Sequence, residues 1–346
     1  MEITAAVRGA AIAAFSALAC AGLIIILRPF LRHYALAKPN SRSSHREPTP
    51  QGGGIAVIAA TIAASSFGLF SFGVPIAAPL MTVFAATLVI ACLGAADDIR
   101  PIAVAPRLLV QAVAVAASIY ALPENLRIVP ALPFWLERIL LFVGGVWFVN
   151  LVNFMDGIDW MTVAEVVPIT AALVLFGYLG ELPLDGTVLA LALGGAMIGF
   201  SYFNRPVATL FLGDVGSLPI GLLLGWLLCL LAGHGDLTAA LLLPLYYLAD
   251  ATVTVLRRLV NGERIWQPHR SHFYQRATDR GFAVTAIVAR VFAVNLGLAG
   301  FALLTVIARR RSVDLAALLC GAALVGWLLY ALSRGRPPAA TIKVAS

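Results

Sequence analysis

Long apolar runs separated by short polar breaks constrain this chain before anything else does. Eleven can be laid along it, at roughly 5–28, 53–71, 76–96, 104–122, 132–153, 161–180, 186–203, 214–233, 237–257, 283–307 and 313–333. A bilayer core of about 30 Å needs about 20 apolar residues per helix. Inside hydrocarbon the backbone must also satisfy its own hydrogen bonds, which a helix does. The expected fold is therefore all-α, a polytopic membrane protein with about 10–11 transmembrane helices. Composition agrees, at 61% hydrophobic and 12% charged residues with a mean hydropathy of +0.93, because soluble domains carry roughly 25% charge.

The brief turns "SFGVP" and "GELPLD" predict hairpins over 53–96 and 161–203. The first run is too long for a signal-peptide core and lacks a small-residue cleavage site, so it reads as a retained helix. Cys20, Cys92, Cys229 and Cys320 all fall within apolar runs without a CxxC, which implies neither disulfides nor a thiolate metal site. Residues 1–346 read as one integral membrane domain, with a motif-bearing region over about 38–282, C-terminal helices over 283–333 and a polar tail at 334–346.

The net charge is +7, but in a membrane chain Lys and Arg report topology before they report ligands. With the first helix running outside to inside, the loops at 29–52, 97–107, 150–160, 201–214 and 257–282 share one side. About 17 of the 24 Lys and Arg residues then lie on that side or in the tail, and about 5 on the other. The positive-inside rule makes the first side cytoplasmic, and no nucleic-acid partner is expected. "ARRRSVD" at 308–314 runs against the rule, since eleven crossings put its arginines outside.

Those five loops are dense in Asp, Asn, His, Arg and Gly, while the short connections of the other side, "SFGVP", "GELPLD" and "AGHGD", read as plain turns. The first, "KPNSRSSHREPTPQGGG", offers His45, Arg46 and three glycines, Gly52 to Gly54, as a loop for an anionic substrate. In the second, "GAADDIRPIAVAPRLLVQ", Asp97 and Asp98 point about 100° apart on a helix, so they can address two partners. Arg107 follows on the next helix. Ionisable groups at membrane depth are expensive and functional by default.

The third loop, "NLVNFMDGIDWM", spaces Asn150, Asn153, Asp156 and Asp159 at three-residue intervals. A continuous helix would scatter them, so the pattern predicts a helix ending near Asn153 and folding at Gly157 into a binding loop for a hard cation or a polar base. Fourth, "FLGDVGSLPIG" puts Asp214 where an inner helix begins. The fifth, "RRLVNGERIWQPHRSHFYQRATDRG", carries His269, Arg270 and His272. Without HExxH or a nearby cysteine it suits a diphosphate better than zinc. Acids and amides for a hard metal, with Arg and His for phosphates, point to phosphoryl transfer involving a lipid. The competing reading is a proton- or ion-coupled transporter, whose acids would lie near mid-membrane in related halves.

"SSHREPTPQGGG", "DDIRPI", "NLVNFMDGID", "FLGDVGSLPIG" and "PHRSHFYQR", in this order, resemble the polyprenyl-phosphate N-acetylhexosamine-1-phosphate transferases. That resemblance implies transfer of a sugar 1-phosphate from a UDP-N-acetylhexosamine to undecaprenyl phosphate at the cytoplasmic face of a bacterial inner membrane, with Mg²⁺ (Mn²⁺ able to substitute), releasing UMP. It further implies Asp97 and Asp98 as the catalytic pair, Asn153 and Asp214 as metal ligands, and Asp156 and Asp159 as nucleotide-binding. Arg107, His269, Arg270 and His272 would hold phosphate and sugar, and His45, Arg46 and Gly53 would form a substrate loop. Its partners would be the UDP-sugar, undecaprenyl phosphate, membrane lipids and a second copy in a homodimer. Three positions depart from members of that family. Ile99 stands where the phospho-MurNAc-pentapeptide translocases have a third Asp, "HRSH" where they have a His triplet, and Trp160 where Gly is common. "HRSHFYQR" resembles most the O-antigen-type initiators.

Overall fold

The computed structural model describes residues 2–37, 48–264 and 269–334. In chain order its helices are α1 (Glu2–Tyr34), α2 (Gly53–Ser71), α3 (Ala78–Ile99), α4 (Val104–Tyr120), α5 (Phe134–Met155), α6 (Met161–Tyr178), α7 (Leu184–Ser201), α8 (Asp214–Leu231), α9 (Leu237–Leu242), α10 (Leu245–Val260), α11 (Phe273–Asp279), α12 (Val284–Ala308) and α13 (Arg311–Ser333). The only strands among the described residues are a two-residue antiparallel pair, β1 (Leu36–Ala37) with β2 (Thr49–Pro50). The chain is an all-α polytopic membrane protein, with nine helical segments long and apolar enough to span a bilayer among the described residues and α4 as a shorter apolar helix.

Ten of the eleven expected runs coincide with one helix each, and the ninth does not. Residues 237–257 are divided between α9 and α10 at Leu243–Pro244, where proline lacks the amide a continuous helix needs. Between α8 and α9 the chain makes a π-type turn, Ala232–Asp236, with Gly235 at φ 103°, a value glycine tolerates freely.

The two ends of the bundle differ. At one, the Arg309 guanidinium pairs with Glu181 and holds that carboxyl below the usual carboxylate range. Thus one of the three arginines in "ARRRSVD" meets a countercharge on the "GELPLD" turn, which explains how a basic loop tolerates that end. Glu137 sits there too, accepting Arg127 Nε at 2.6 Å and the Ile128 amide at 2.6 Å. The other end gathers the polar loops.

α8 lies at the centre, packed by α2, α3, α4, α5, α6 and α7. Its span is 89% buried in its most apolar window, against 22% for α1. Contact at its start is backbone to backbone. A Cβ on Gly54 would lie 2.2 Å from Gly216 Cα, and one on Gly94 2.3 Å from the Asp214 carbonyl oxygen. The Gly53 and Gly54 amides donate to the carbonyls of Phe211 and Leu212, both at 2.9 Å. The glycine run that suggested close approach to a ligand lets α2 approach α8 and its preceding loop. His45 and Arg46 lie outside the described residues.

Overpacking a close contact costs roughly 1–3 kcal/mol, occasionally more. Gly54→Ala should accordingly lower the detergent melting temperature by several degrees, while Gly22→Ala on α1, where a Cβ meets nothing within 4 Å, should leave it unchanged. Equal effects of the two substitutions would contradict the close-packing account.

Candidate active site

The site starts from the unsatisfied amides of a helix. The first four N–H groups of any helix lack intrahelical acceptors, and α8 has no side-chain cap of its own. Asp98 supplies one from the end of α3. Its Oδ1 accepts the Asp214 amide at 2.9 Å and its Oδ2 the Val215 amide at 3.1 Å. Gly213, at φ 76°, is required here for space as well as conformation, since a Cβ would fall 2.4 Å from Asp98 Oδ2. Gln51 Nε2 then donates to the Asp98 carbonyl at 2.7 Å.

Asp97 turns to other partners, as neighbours on a helix must. It accepts the Ile102 amide at 2.5 Å and Arg107 Nη1 at 2.8 Å. Arg107 Nη1 is also 3.8 Å from Asp214 Oδ2. Across from this trio, Asn153 Nδ2 donates to Asp214 Oδ1 at 2.7 Å and to Ser217 Oγ at 2.9 Å. α5 ends at Met155, so the expected break after Asn153 falls two residues later. Asn150, one turn earlier, instead donates to Gln111 Oε1 at 2.8 Å and ties α5 to α4.

Beyond α5 the chain folds over the site. Thr162 Oγ1 donates to Asp156 Oδ1 at 2.5 Å, and Asp159 Oδ2 accepts the Ala208 amide at 2.9 Å. Trp160 occupies the left-handed region at φ 62°, an unfavourable place for a bulky residue. Two bonds hold it there, its amide to Asn204 Oδ1 at 2.8 Å and its indole N–H to the Ser201 carbonyl at 2.6 Å. A cavity of about 220 Å³ results, lined by Asp98, Asn153, Asp156, Asp159, Asn204 and Asp214 among others. Asp98, Asn153, Asp156, Asp159 and Asp214 thus share one space, with Arg107 bonded at its edge.

His269, Arg270 and His272 do not line that cavity. His272 is buried and caps α11, with Nδ1 3.2 Å from Asp250 Oδ1. Asp250 also accepts the Phe273 amide at 3.1 Å. Arg270 pairs with Asp279 at 3.1 Å and donates to Thr278 Oγ1 at 2.9 Å. His269 keeps Nδ1 2.8 Å from Ser271 Oγ. Burial, with His272 and Arg258 nearby, pulls its imidazole down to about 4, so it is neutral at pH 7. The segment joins the site through Tyr274, whose hydroxyl donates to the Phe154 carbonyl at 3.0 Å. Asp250, which organises this loop, escaped the sequence reading although it is the only acid in the run 237–257. An acid inside an apolar run was a usable signal.

Among the described residues no three His, Cys, Asp or Glu side chains group as a metal cage. The donor set still fits a hard divalent ion. The Asp214 carboxylate and the Asn153 amide oxygen belong to facing side chains on one cavity, and Mg²⁺ takes one or two protein oxygens with waters and substrate phosphates rather than a full protein shell.

Fold and site together define a polytopic membrane protein with a carboxylate-lined cavity at one end of its helices. The sequence profile of glycosyl transferase family 4 matches residues 80–232, the stretch holding every acid that lines the cavity. A phospho-N-acetylmuramoyl-pentapeptide-transferase of Rhodopseudomonas palustris is 30% identical over 312 residues, covering 77% of this chain and 82% of the relative. The chain belongs to glycosyl transferase family 4. A probable undecaprenyl-phosphate N-acetylglucosaminyl 1-phosphate transferase of Bacillus subtilis is 24% identical over 297 residues, covering 79% of each chain. A decaprenyl-phosphate N-acetylglucosaminephosphotransferase of Mycobacterium leprae is 28% identical over 306 residues, covering 78% of this chain and 76% of the relative.

Burial pushes Asp156 up from 3.8 to about 7; the charges of Asp98 and Asp159 add to the rise and the Thr162 hydroxyl opposes it. Below about 3.8 the group is protonated folded and unfolded, and above about 7 it is ionised in both. Between those values the folded state holds the extra proton, so stability falls as pH rises, by at most roughly 1.4 kcal/mol per pH unit. In metal-free detergent, Asp156→Asn should gain thermal stability relative to the parent protein as pH goes from 5 to 7. Parallel pH slopes would refute the assignment.

Proposed function

We propose that this chain transfers an N-acetylhexosamine 1-phosphate from a UDP-sugar to undecaprenyl phosphate, forming the undecaprenyl-diphosphate sugar and UMP, and so begins an O-antigen or related cell-envelope polysaccharide. One observation carries the reading. Acids from three separate segments, Asp98, Asp156 and Asp214, line a single polar cavity at helix ends, where a lipid head group and a nucleotide can meet. A transport path would run through the middle of the spans instead. The bias of Lys and Arg toward the loops of this end supports a cytoplasmic site. Relatives carry both N-acetylglucosamine and pentapeptide names. Ile99 and "HRSH", departures from the pentapeptide type, favour the N-acetylhexosamine donors.

In this reading an oxygen of the lipid phosphate attacks the β-phosphorus. The bond from that phosphorus to the bridging oxygen breaks, and the bridging oxygen leaves with UMP. A phosphate monoester has a second pKa near 6, so the acceptor is largely ionised and needs no strong base. Both oxygens of Asp98 accept α8 amides, which supports an anchoring role, with direct attack rather than a phosphorylated aspartate. Asp97 orients Arg107 beside Asp214, where the guanidinium can meet the diphosphate. Asp156 and Asp159 serve the nucleotide, and His269, Arg270 and His272 the sugar side. Mg²⁺ held by Asp214 and Asn153 would supply positive charge to the diphosphate as negative charge develops. Positioning and electrostatics are then the main catalytic contributions.

Detergent-purified protein should release UMP from one UDP-N-acetylhexosamine, and only with both undecaprenyl phosphate and Mg²⁺ present. Release without lipid, or with the UDP-MurNAc-pentapeptide donor alone, would overturn the assignment. Asp214→Asn should reduce turnover by roughly 10²-fold or more. A loss of only a few fold would remove Asp214 from the metal.

A further inference from the structure

The cavity has a polar backing that the proposed chemistry does not use. Thr162 is on the first turn of α6 and almost wholly buried, at 1% exposure. Its hydroxyl spans the turn from the end of α5 to reach Asp156 Oδ1. Closing residues 156–162 in this way ties one carboxyl oxygen of a cavity-lining acid to a rigid helix. β-Branching restricts Thr162 to few χ1 rotamers, so its hydroxyl direction is set by the helix. Tyr247 of α10, wholly buried, lies within hydrogen-bonding reach of Thr162. One turn along the same face, Glu165 accepts Asn295 Nδ2 of α12 at 2.6 Å, and Asn295 also reaches the Ala164 carbonyl at 2.9 Å. α6 is thereby anchored to α12 directly behind the residue that holds Asp156.

We propose that Thr162 is a positioning residue for the nucleotide, acting through Asp156. The inference rests on the reading of Asp156 as nucleotide-binding. A hydroxyl that tied only the α5–α6 turn would contribute to stability and nothing else. One that aims the carboxyl must change nucleotide affinity, and only while the carboxyl is there. Serine retains the donor and valine retains the shape without it, so the two substitutions separate hydroxyl from volume.

The test is a double-mutant cycle on UDP binding, measured by equilibrium titration on the full-length protein in detergent, with thermal unfolding recorded for every variant. UDP is the probe because its binding does not depend on which sugar is transferred. Thr162→Val should weaken UDP about 5- to 10-fold, the range for loss of one oriented hydrogen bond of about 1 kcal/mol. Thr162→Ser should stay within about twofold of the parent. In an Asp156→Ala background, which removes the acceptor of the Thr162 hydroxyl, Thr162→Val should add less than about a further twofold, since coupled residues are non-additive. Equal losses in both backgrounds, or a serine variant as weak as valine, would overturn the role of Thr162 while leaving Asp156 with the nucleotide. A parent protein that binds UDP, with an Asp156→Ala variant that binds it equally well, would instead sink the reading of Asp156 itself.

Discussion

A half-buried carboxylate satisfying the start of a buried helix is the interaction on which the site depends. α8 is enclosed by its neighbours along its length, and the first amides of any helix lack intrahelical acceptors. Asp98 reaches across from α3 to take two of them. That contact fixes Asp214, which fixes Asn153 and sets the distance to Arg107. The remaining acids arrange themselves around a geometry already determined by one helix end.

Much of this is legible in the order of residues. Apolar runs locate the helices because length and hydropathy are imposed by the bilayer rather than by neighbours. The three-residue spacing of Asn153, Asp156 and Asp159 is also readable, because a continuous helix cannot use it. Both inferences rest on local geometry, for which a sequence carries direct information.

What escapes sequence is anything that depends on which surfaces meet. Gly53 and Gly54 read as a ligand loop, and the close approach of Gly53 to Phe211 and of Gly54 to Gly216 is not visible in the order of residues. His269, Arg270 and His272 are held by Ser271, by Asp279 of α11 and by Asp250 of α10 and do not line the cavity, a placement that residue order does not show. Asp250 does its work within a helix whose apolar neighbours hid it. Trp160 sits in a backbone conformation that sequence would assign to glycine, and its compensation comes from Ser201 and Asn204, more than 40 residues away. The break at Pro244 is the opposite case, a local signal masked by the hydrophobicity on either side.

The central seat of α8 bears on how the protein is made. α8 is the eighth apolar segment to emerge from the ribosome, and the helices that surround it, α2 to α7, all precede it. Until it arrives, Asp98 stands at the end of α3 without the two amides that later engage it, and the glycines of α2 and α3 face an open seam. The membrane must therefore hold an incomplete ring of helices for the time it takes to synthesise α4 through α7. Insertion of α8 then closes the ring and builds the cavity in the same step. A chain truncated before residue 214 would carry most of the acids of the cavity but neither Asp214 nor the amides that hold Asp98.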